Sequence, residues 1–329
     1  MLKVSLIATV YNEASNIEKL LNSLREQTRR PDEIIIVDGG SKDGTPDKIQ
    51  QWVEANPDLP LKLIIEQGAN ISRGRNLAIA AASHEIIATT DAGVRLLPSW
   101  LEKLALSFYS NPNAVSCGFF RADPTAGSVF EMAMGATVLP TVRDIKPEKF
   151  LPSSRSVAFS RSAWEKIGGY PEWLDYCEDL IFDLNLLKAG YPFVWQPEAV
   201  VLFRPRSSLK DFYVQYYRYA RGDGKADLFL KRHILRYLIY LVFAPLMIFL
   251  ARRWKPFWLV LLLTGEGYVF KPHRRLILGE IQGWQKWTTQ KKIQALLLVP
   301  LIRLTGDVAK MIGYPVGLLW RFSNRNKKD

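Results

Sequence analysis

The chain has 329 residues, with 44 Lys and Arg against 32 Asp and Glu, so its formal net charge is +12. Residues 1–200 carry 20 basic and 25 acidic side chains, whereas residues 201–329 carry 24 and 7, so the excess positive charge belongs to the last part of the chain. A hydrophobic share of 48% excludes a largely disordered chain, and the uneven charge argues against a uniformly basic protein that coats nucleic acid.

The first two hundred residues alternate between short apolar runs and stretches with helical periodicity. Strands are predicted at residues 3–10, 33–37, 61–65 and 86–90. The helices that follow them are predicted to begin at a capping box over Ser15–Glu18, at Thr45-Pro46, at Ser72 and at Pro98. This alternation predicts an α/β fold with a mainly parallel sheet, right-handed crossovers and helices on both faces.

Polar side chains follow three of the predicted strands at the point where each strand ends. Thr9, Tyr11 and Glu13 lie at the end of the first, Asp38 at the end of the second and Asp91 at the end of the fourth. Ligands of such sheets bind at the carboxyl ends of the strands, so three polar ends together predict a ligand site. An alternative for Asp38 and Asp91, taken singly, is that each only caps a loop. The glycine spacing matches neither a dinucleotide fingerprint nor a P-loop.

These segments resemble the family 2 glycosyltransferases, which have the GT-A fold. The resemblance rests on Val10-Tyr11-Asn12-Glu13 and on a V-D-x-x-S-x-D-G-T pattern over Val37–Thr45. It continues through Arg75-Asn76 and Ser156–Tyr170 to Glu178-Asp179 and covers about residues 3–225. The joint occurrence of these pieces is specific, although each alone is common.

The resemblance implies a nucleotide-sugar donor, a UDP- or a GDP-sugar. By resemblance, the donor-binding residues are Thr9, Tyr11, Glu13, Asp38, Arg75 and Asp91. A carboxylate accepts hydrogen bonds from a base N–H or from ribose hydroxyls, and the ring of Tyr11 can stack on a base. An equal alternative for Arg75 is a solvated charge on the surface of its helix.

The D-x-D motif of the family is incomplete in this chain. Asp91-Ala92-Gly93 keeps the first carboxylate and has Gly93 in the second position. Because Mg²⁺ is often bound by one or two carboxylates together with substrate phosphates and water, the resemblance still implies a divalent metal, Mg²⁺ or Mn²⁺, at Asp91. Gly93 weakens that expectation, and it leaves open a sugar-nucleotide-binding protein with weak or lost catalysis.

Glu178-Asp179 begins a helical segment with Gly190 as its stop signal. By resemblance, Asp179 is the general base that takes the proton of the acceptor hydroxyl as this oxygen attacks the anomeric carbon, so transfer inverts the configuration. The alternative for Asp179 is stabilisation of the helix N-terminus by its charge. Asp183, one turn further on, is expected to face solvent or to orient a partner.

A second set of residues is expected to serve the acceptor or the leaving diphosphate. Besides Glu178, this set comprises Gln215, Arg218 and Tyr219, which resemble a Q-x-x-R-W motif with Tyr219 in place of tryptophan. On a helix these three residues share one face. The alternative is an aromatic core helix with a polar edge.

The last hundred residues combine basic side chains with uncharged apolar runs. Residues 237–251 form the longest run, and shorter runs lie at 256–265 and 293–302. A perpendicular membrane span needs about 20 apolar residues, so a short hairpin, a re-entrant pair, interfacial helices and a soluble helical domain all stay open. The basic residues of the tail, Arg321, Arg325, Lys327 and Lys328, predict attraction to anionic lipid.

Together these patterns predict a GT-A catalytic domain over 1–225 and a helical membrane-associated region over 226–329. The expected function is an inverting glycosyltransferase that moves a sugar from a nucleotide sugar to a membrane lipid or lipid-linked glycan. Its expected place is the cytoplasmic face of the inner membrane, since two cysteines, Cys117 and Cys177, fit a reducing compartment. Nucleic acid is not an expected partner, because it does not account for the apolar runs.

Overall fold

The fold is taken from a computed structural model, which describes residues 2–123, 128–279 and 284–324. The chain divides into two compact units. Unit 1 comprises Met1–Arg121 and Thr141–Arg204, and unit 2 comprises Ala122–Pro140 and Pro205–Asp329. Residue 225, the predicted end of the catalytic domain, lies within a helix of unit 2, and the functional division at that residue stays a prediction.

Within the described residues, eight strands form one mixed sheet. The strands are β1 (Val4–Val10), β2 (Glu33–Asp38), β3 (Leu61–Ile65), β4 (Ile86–Asp91), β5 (Val94–Leu96), β6 (Val115–Ala122), β7 (Val157–Ser160) and β8 (Phe193–Phe203). Their order is β3-β2-β1-β4-β7-β6-β8-β5. The four strands predicted from the sequence are mutually parallel, whereas β7 runs antiparallel to β4 and to β6. The α/β prediction is confirmed, with a sheet that is mixed.

The helices lie between and after these strands. They are α1 (Ile17–Arg25), α2 (Thr45–Ala55), α3 (Ile71–Ala80), α4 (Trp100–Ser110), α5 (Val129–Val138), α6 (Arg161–Ile167), α7 (Glu178–Lys188), α8 (Leu209–Ala226), α9 (Leu230–Leu238), α10 (Ala244–Arg253), α11 (Phe257–Ile277) and α12 (Thr289–Ser323). Helix α5 and helices α8 to α12 belong to unit 2.

All four predicted helix starts differ from the structure by one or two residues, and α4 begins at Trp100 rather than at Pro98. The N-caps of α1, α2 and α3 are Asn16, Gly44 and Asn70. The hydroxyl groups expected to cap α2 and α3 are used in other contacts: Thr45 Oγ1 accepts the N–H of Glu13 at 2.9 Å, and the buried Ser72 hydroxyl donates to the carbonyl of Leu174. Contacts distant in sequence therefore outweigh the local capping preference.

Apolar side chains cover both faces of the sheet. Alternate residues of one strand point to opposite faces, so Leu6 packs in one core cluster and Ile7 in the other. The first cluster contains residues of α1 and α4, and the second contains residues of α3 and α7. Helices α3 and α7 thus share one face of the sheet, and burial of each large aliphatic side chain stabilises this arrangement by about 1.5–3 kcal/mol.

The long helices α8 and α12 of unit 2 pack closely along each other. A Cβ atom added at Gly313 would collide with the carbonyl oxygen of Tyr217, and one added at Gly317 would collide with that of Arg221. The two backbones therefore touch, which only glycine permits at these positions.

The helical segment Leu230–Arg253 contains the longest apolar run predicted from the sequence. It consists of α9, a π-helical turn at Ile239–Phe243 and α10. In the described part of the chain, it is the one helix that is long and apolar enough to cross a membrane by length and composition. Of the basic tail, Arg321 forms an ion pair with Asp227 at 2.8 Å, while Arg325, Lys327 and Lys328 lie outside the described residues.

Candidate active site

Strand register brings together the polar residues predicted at the strand ends. Asp38 of β2 lies beside Val10 of β1, and Asp91 of β4 lies beside Thr9 of β1. Because these three strands are parallel neighbours, the side chains meet at one carboxyl edge of the sheet. The side chain of Asp91 keeps 24% of its surface exposed, whereas Asp38 is fully buried.

The carboxylate of Asp38 is only half satisfied. Its Oδ1 accepts the backbone N–H groups of Gly40 at 2.8 Å and Ser41 at 2.7 Å, so it does cap its own loop. Its Oδ2 is buried and has no hydrogen-bond partner among the described residues. A buried oxygen without a donor is unfavourable by about 1–3 kcal/mol, so this atom is suited to accept an N–H or O–H from a ligand.

The loop after β1 presents the ring of Tyr11 to solvent. Asn12 has a positive φ of 53°, and its N–H donates to Ser41 Oγ at 2.7 Å, which ties this loop to the one after β2. The ring of Tyr11 is exposed and lies against Gly39. The side chain of Glu13 has another partner, because its Oε2 accepts from Asn16 Nδ2 at 3.1 Å at the start of α1.

Arg75 on α3 links two carboxylates beside the second core cluster, to which Tyr170 belongs. Its Nη2 lies 2.9 Å from Asp91 Oδ1, its Nη1 lies 2.7 Å from Glu178 Oε1, and its guanidinium lies over the ring of Tyr170 at 5.2 Å. Only 3% of its side chain is exposed, so the alternative of a solvated helix charge is wrong. Burial opposes the charge of Arg75, but Asp91 and Glu178 outweigh burial and keep the pKa of the guanidinium above its ordinary value.

Two carboxylates follow each other at the start of α7. Burial and the neighbouring charge of Asp179 raise the pKa of Glu178 to about 7, against the opposing effect of Arg75. Asp179 is only half buried, and its Oδ2 accepts from the hydroxyl of Ser153 at 3.3 Å. Both residues lie in the first turn of α7, where the helix dipole favours negative charge. The geometry is therefore compatible with a base and with a helix-stabilising charge at Asp179.

Helix α3 also holds the loop that leads into α7. Asn76 Nδ2 donates to the carbonyl of Tyr170 at 2.9 Å, and Asn76 Oδ1 accepts the N–H of the same residue at 2.8 Å. Asn70 Nδ2 donates to the carbonyl of Glu172 at 2.7 Å. Asn70 and Asn76 thus hold the loop at Tyr170 and Glu172, which precedes α7.

Sequence reasoning missed Arg155. Its guanidinium lies over the rings of Phe120 and Phe203, at 5.1 and 4.5 Å, and its Nε lies 3.6 Å from Asp91 Oδ2. The residue comes two positions before β7, and because β7 is antiparallel to β4, the segment before it lies at the carboxyl end of β4. Arg155 could have been found only from the antiparallel direction of β7, which the periodicity of the sequence does not reveal.

Asp183 does not face solvent, so the first of its two expected roles is wrong. The side chain is 1% exposed, and its Oδ2 is without a hydrogen-bond partner in the described structure. Burial and the charge of Asp179 raise its pKa well above the ordinary value. The residue lies on the face of α7 that also buries Phe182 and Leu186, so it turns toward the sheet.

The three residues of the Q-x-x-R-W-like motif lie on α8 in unit 2. Gln215 Nε2 donates to the hydroxyl of Tyr219 at 2.8 Å, as expected for residues that share a helix face. Phe212 and Tyr216 of the same helix belong to the core of unit 2, with ring centroids 4.3 Å apart. The role of Gln215, Arg218 and Tyr219 toward an acceptor stays a prediction.

The position of the D-x-D motif offers a single carboxylate, Asp91, to a divalent metal. The described ranges contain no group of three or more His, Cys, Asp or Glu that could hold a metal. Asp91 has one oxygen bound to Arg75, while its other oxygen lies 3.6 Å from Arg155 Nε. This donor set fits a Mg²⁺ or Mn²⁺ ion whose remaining ligands come from a diphosphate and water.

Comparison with known families decides the class of this site. The model of glycosyl transferase family 2 matches residues 5–164, and that of glycosyl transferase family group 2 matches residues 114–305. The chain is a family 2 glycosyltransferase. The resemblance noted in the strand-end motifs is thereby confirmed, and the enzyme class with it.

Individual relatives of this glycosyltransferase are distant. The O-antigen chain rhamnosyltransferase RfbN of Salmonella typhimurium is 27% identical over 228 residues, 66% of this chain and 71% of that protein. The N-acetylglucosaminyl-diphospho-decaprenol L-rhamnosyltransferase of Mycobacterium tuberculosis is 27% identical over 234 residues, 60% of this chain and 74% of that protein. Among solved structures, the mannosyltransferase PcManGT of Pyrobaculum calidifontis, in complex with GDP-Man and Mn²⁺, aligns with a TM-score of 0.58 and 22% identity over 97% of this chain and 87% of its own. The likeness in structure supports the GT-A fold.

Proposed function

We propose that this glycosyltransferase moves a sugar, with inversion, from a nucleotide-sugar donor to a lipid or lipid-linked glycan at the cytoplasmic face of the inner membrane. The observation that carries the donor side is the buried, unpartnered Oδ2 of Asp38 next to the loop that exposes Tyr11. A nucleoside would supply a hydrogen-bond donor to Asp38 and a stacking partner to Tyr11. A base N–H or ribose hydroxyl donates to Asp38 while the base stacks on Tyr11. Stacking of a base on an aromatic side chain contributes about 1–3 kcal/mol.

Asp91 is the residue that would hold the donor diphosphate through a divalent metal, Mg²⁺ or Mn²⁺. A bound metal would neutralise the negative charge that develops on the leaving nucleoside diphosphate. Arg155, within 3.6 Å of Asp91, supplies a cation of the chain itself at the same edge. Arg75 acts as a positioning residue, because it holds Asp91 and Glu178 in fixed places.

Asp179 is the residue that we assign as general base. It takes the proton of the acceptor hydroxyl while that oxygen forms a bond to the anomeric carbon and the bond from this carbon to the diphosphate breaks. Attack and departure on opposite sides invert the anomeric configuration. Glu178 is less suited to this role, since its carboxyl is buried and bound to Arg75.

The acceptor class is proposed from two observations. The segment Leu230–Arg253 is apolar and mostly exposed in the structure, which suits contact with a bilayer. The names of two relatives refer to a decaprenol-linked substrate and to an O-antigen chain. We therefore propose residues 1–225 as the catalytic part and 226–329 as the part that brings the enzyme to the membrane.

The substitution Asp179→Asn tests the base. We expect transfer to fall by about 10²- to 10⁴-fold, which is the usual contribution of a general base, while calorimetric binding of the donor persists. Asp47→Asn is the matched control, because Asp47 is an exposed carboxylate in the first turn of α2. Near-normal transfer by Asp179→Asn, or equal losses in both variants, contradicts the assignment.

A second candidate function follows from Gly93. A protein that binds sugar nucleotides with little or no turnover would also retain Asp38 and Tyr11 but would not need the second carboxylate of the motif. Hydrolysis of a panel of labelled nucleotide sugars, after chelation and after return of Mg²⁺ or Mn²⁺, separates the two functions. Donor binding without turnover under any metal, with native membrane lipids present, favours the second.

A further inference from the structure

Charged and aromatic side chains from three helical segments of unit 2 meet around Asp307 of α12. Arg236 Nε lies 2.9 Å from Asp307 Oδ1, and Lys310 Nζ lies 3.7 Å from the same oxygen. Asp307 Oδ2 accepts from the hydroxyl groups of Tyr240 at 3.0 Å and Tyr268 at 2.8 Å. The single negative charge of Asp307 is therefore shared between Arg236 and Lys310.

Basic residues outnumber this carboxylate. Arg303, one turn before Asp307, lies over the ring of Tyr268 at 4.3 Å, and within the described residues it has no carboxylate at ion-pair distance. Arg232 lies one turn before Arg236 on α9. Burial and the charges of Arg236, Arg232 and Arg303 outweigh the attraction of Asp307 and lower the pKa of Lys310 to about 8. The cation cluster, defined as Arg232, Arg236, Arg303 and Lys310, thus carries repulsion that a bound anion would relieve.

The nearby carboxylate Asp223 does not cancel this charge directly. Its Oδ2 lies 3.1 Å from His233 Nε2, and His233 Nδ1 lies 3.2 Å from Arg236 Nη1. The ring of His233 is buried and stacks on Tyr314 at 3.8 Å. The histidine therefore separates Asp223 from the cluster and orients Arg236.

Exposed apolar side chains adjoin the cation cluster. On α12 the charged residues 303, 307 and 310 share one helix face, and an apolar strip runs beside them at i, i+4 and i+8. This strip consists of the exposed residues Leu304, Val308 and Ile312, and α9 adds exposed Leu235 and Leu238. Several basic side chains next to an exposed apolar strip suit the two ends of an anionic amphipathic lipid.

We propose that the cation cluster binds the terminal phosphate or diphosphate of a membrane lipid whose chain lies along the apolar strip. Guanidinium and ammonium groups together donate enough hydrogen bonds for the three oxygens of a terminal phosphate. A phosphodiester headgroup carries a single negative charge and offers fewer oxygens, so a terminal phosphate binds preferentially. That this lipid is the sugar acceptor rests on the proposed function above.

Vesicle binding by the full chain tests the site without any sugar donor, so its outcome is independent of whether transfer is observed. The probes are phosphatidylcholine vesicles with phosphatidic acid, which has a terminal phosphate, or with phosphatidylglycerol at equal surface charge. The test variant is Arg303→Gln with Lys310→Gln. The matched control is Lys291→Gln, which removes one exposed charge from the same helix outside the cluster.

We expect the unmodified protein to bind phosphatidic acid vesicles more tightly than phosphatidylglycerol vesicles. Each basic residue near an anionic surface contributes about a fivefold factor, so the double variant should bind phosphatidic acid vesicles about 25-fold more weakly and lose the preference. Lys291→Gln should weaken binding to both vesicle types by a similar factor and keep the preference for phosphatidic acid. The pair Arg303→Lys with Lys310→Arg, which keeps both charges, should also keep this preference. No preference in the unmodified protein, or the same preference in the double variant, overturns the proposal.

Two measurements on the unmodified protein keep the test decisive if the double variant fails to fold. The thermal midpoint should rise more with phosphatidic acid than with phosphatidylglycerol vesicles. An equal rise of the thermal midpoint with inorganic phosphate alone would assign the site to free phosphate and contradict the proposed lipid ligand.

Discussion

Replacement of Arg75 by methionine removes the cation that Asp91 and Glu178 share. Loss of one partner from a buried ion pair costs about 3–5 kcal/mol, because the remaining charge stays without compensation. The side chain of Asp91 is one-quarter exposed and can be hydrated, and Glu178 can take up a proton. Both effects reduce the cost of leaving these carboxylates without their cation. We therefore expect Arg75→Met to lower the local stability of unit 1 by about 3 kcal/mol at pH 8, the lower end of that range.

Arg73→Met provides the matched control on the same helix. Arg73 is half exposed and forms surface ion pairs with Glu66 and Glu172, so its loss should cost much less stability than the loss of Arg75. Hydrogen–deuterium exchange of the amides of β4 and α7 measures the opening free energy of this part of the chain separately from unit 2. Equal effects of Arg73→Met and Arg75→Met would refute the buried-pair argument.

The cost of Arg75→Met should also depend on pH in a defined direction. The folded pKa of Glu178 is already raised from 4.5 to about 7, and loss of the guanidinium raises it further. A carboxyl whose folded pKa exceeds its unfolded value is favourable at low pH, and its contribution is lost as the pH rises through the folded pKa. The deficit of Arg75→Met should therefore be larger at pH 8 than at pH 5, and a constant deficit would contradict a titrating Glu178.

Three further predictions concern single groups of the site. Glu178→Gln removes the titration itself, so the stability of the unmodified protein relative to this variant should fall by at most about 3 kcal/mol between pH 5 and pH 8 in denaturant unfolding. A pH-independent difference between the two proteins argues against the raised pKa of Glu178. Gly93→Asp completes the D-x-D motif where an added Cβ meets no atom within 4 Å, so the Mn²⁺ concentration for half-maximal transfer should fall by about tenfold; an unchanged concentration in a folded variant would place the metal elsewhere. Asp38→Asn keeps an oxygen for the N–H groups of Gly40 and Ser41 but puts an NH2 group in place of the free carboxylate oxygen. The donor affinity measured by calorimetry should therefore fall by about 10- to 100-fold. An unchanged affinity would show that Asp38 does not contact the donor.

The strands at the centre of unit 1 were predictable because they are buried on both faces. Ile34, Ile35, Ile36 and Val37 are all in the core, and such a run of β-branched residues indicates a central strand without knowledge of its neighbours. The helix starts were less predictable, because several side chains can cap a helix locally and distant contacts choose among them. Thr45 and Ser72 show this, since both hydroxyls act on residues far along the chain.

The environments of the charged residues could not be predicted in the same way. A solvated and a buried arginine have the same local pattern on a helix, and the burial of Arg75 depends on Asp91 and Glu178, which lie 16 and 103 residues away. Asp183 was expected at the surface for the same reason, and Arg155 was missed because the antiparallel direction of β7 has no signature in periodicity.

The sequence by itself determined the α/β fold, the family and the set of polar residues at the strand ends, because buried strands and specific motifs are properties of short segments. Only the tertiary structure decided which of those residues keep a free polar atom. Asp38 retains one buried oxygen for a ligand, Arg75 has its charge bound by two carboxylates, and Lys310 shares the carboxylate of Asp307 with Arg236. The physical reason is that burial and charge pairing depend on residues distant in the chain, and the energy of a charged group is set by those neighbours.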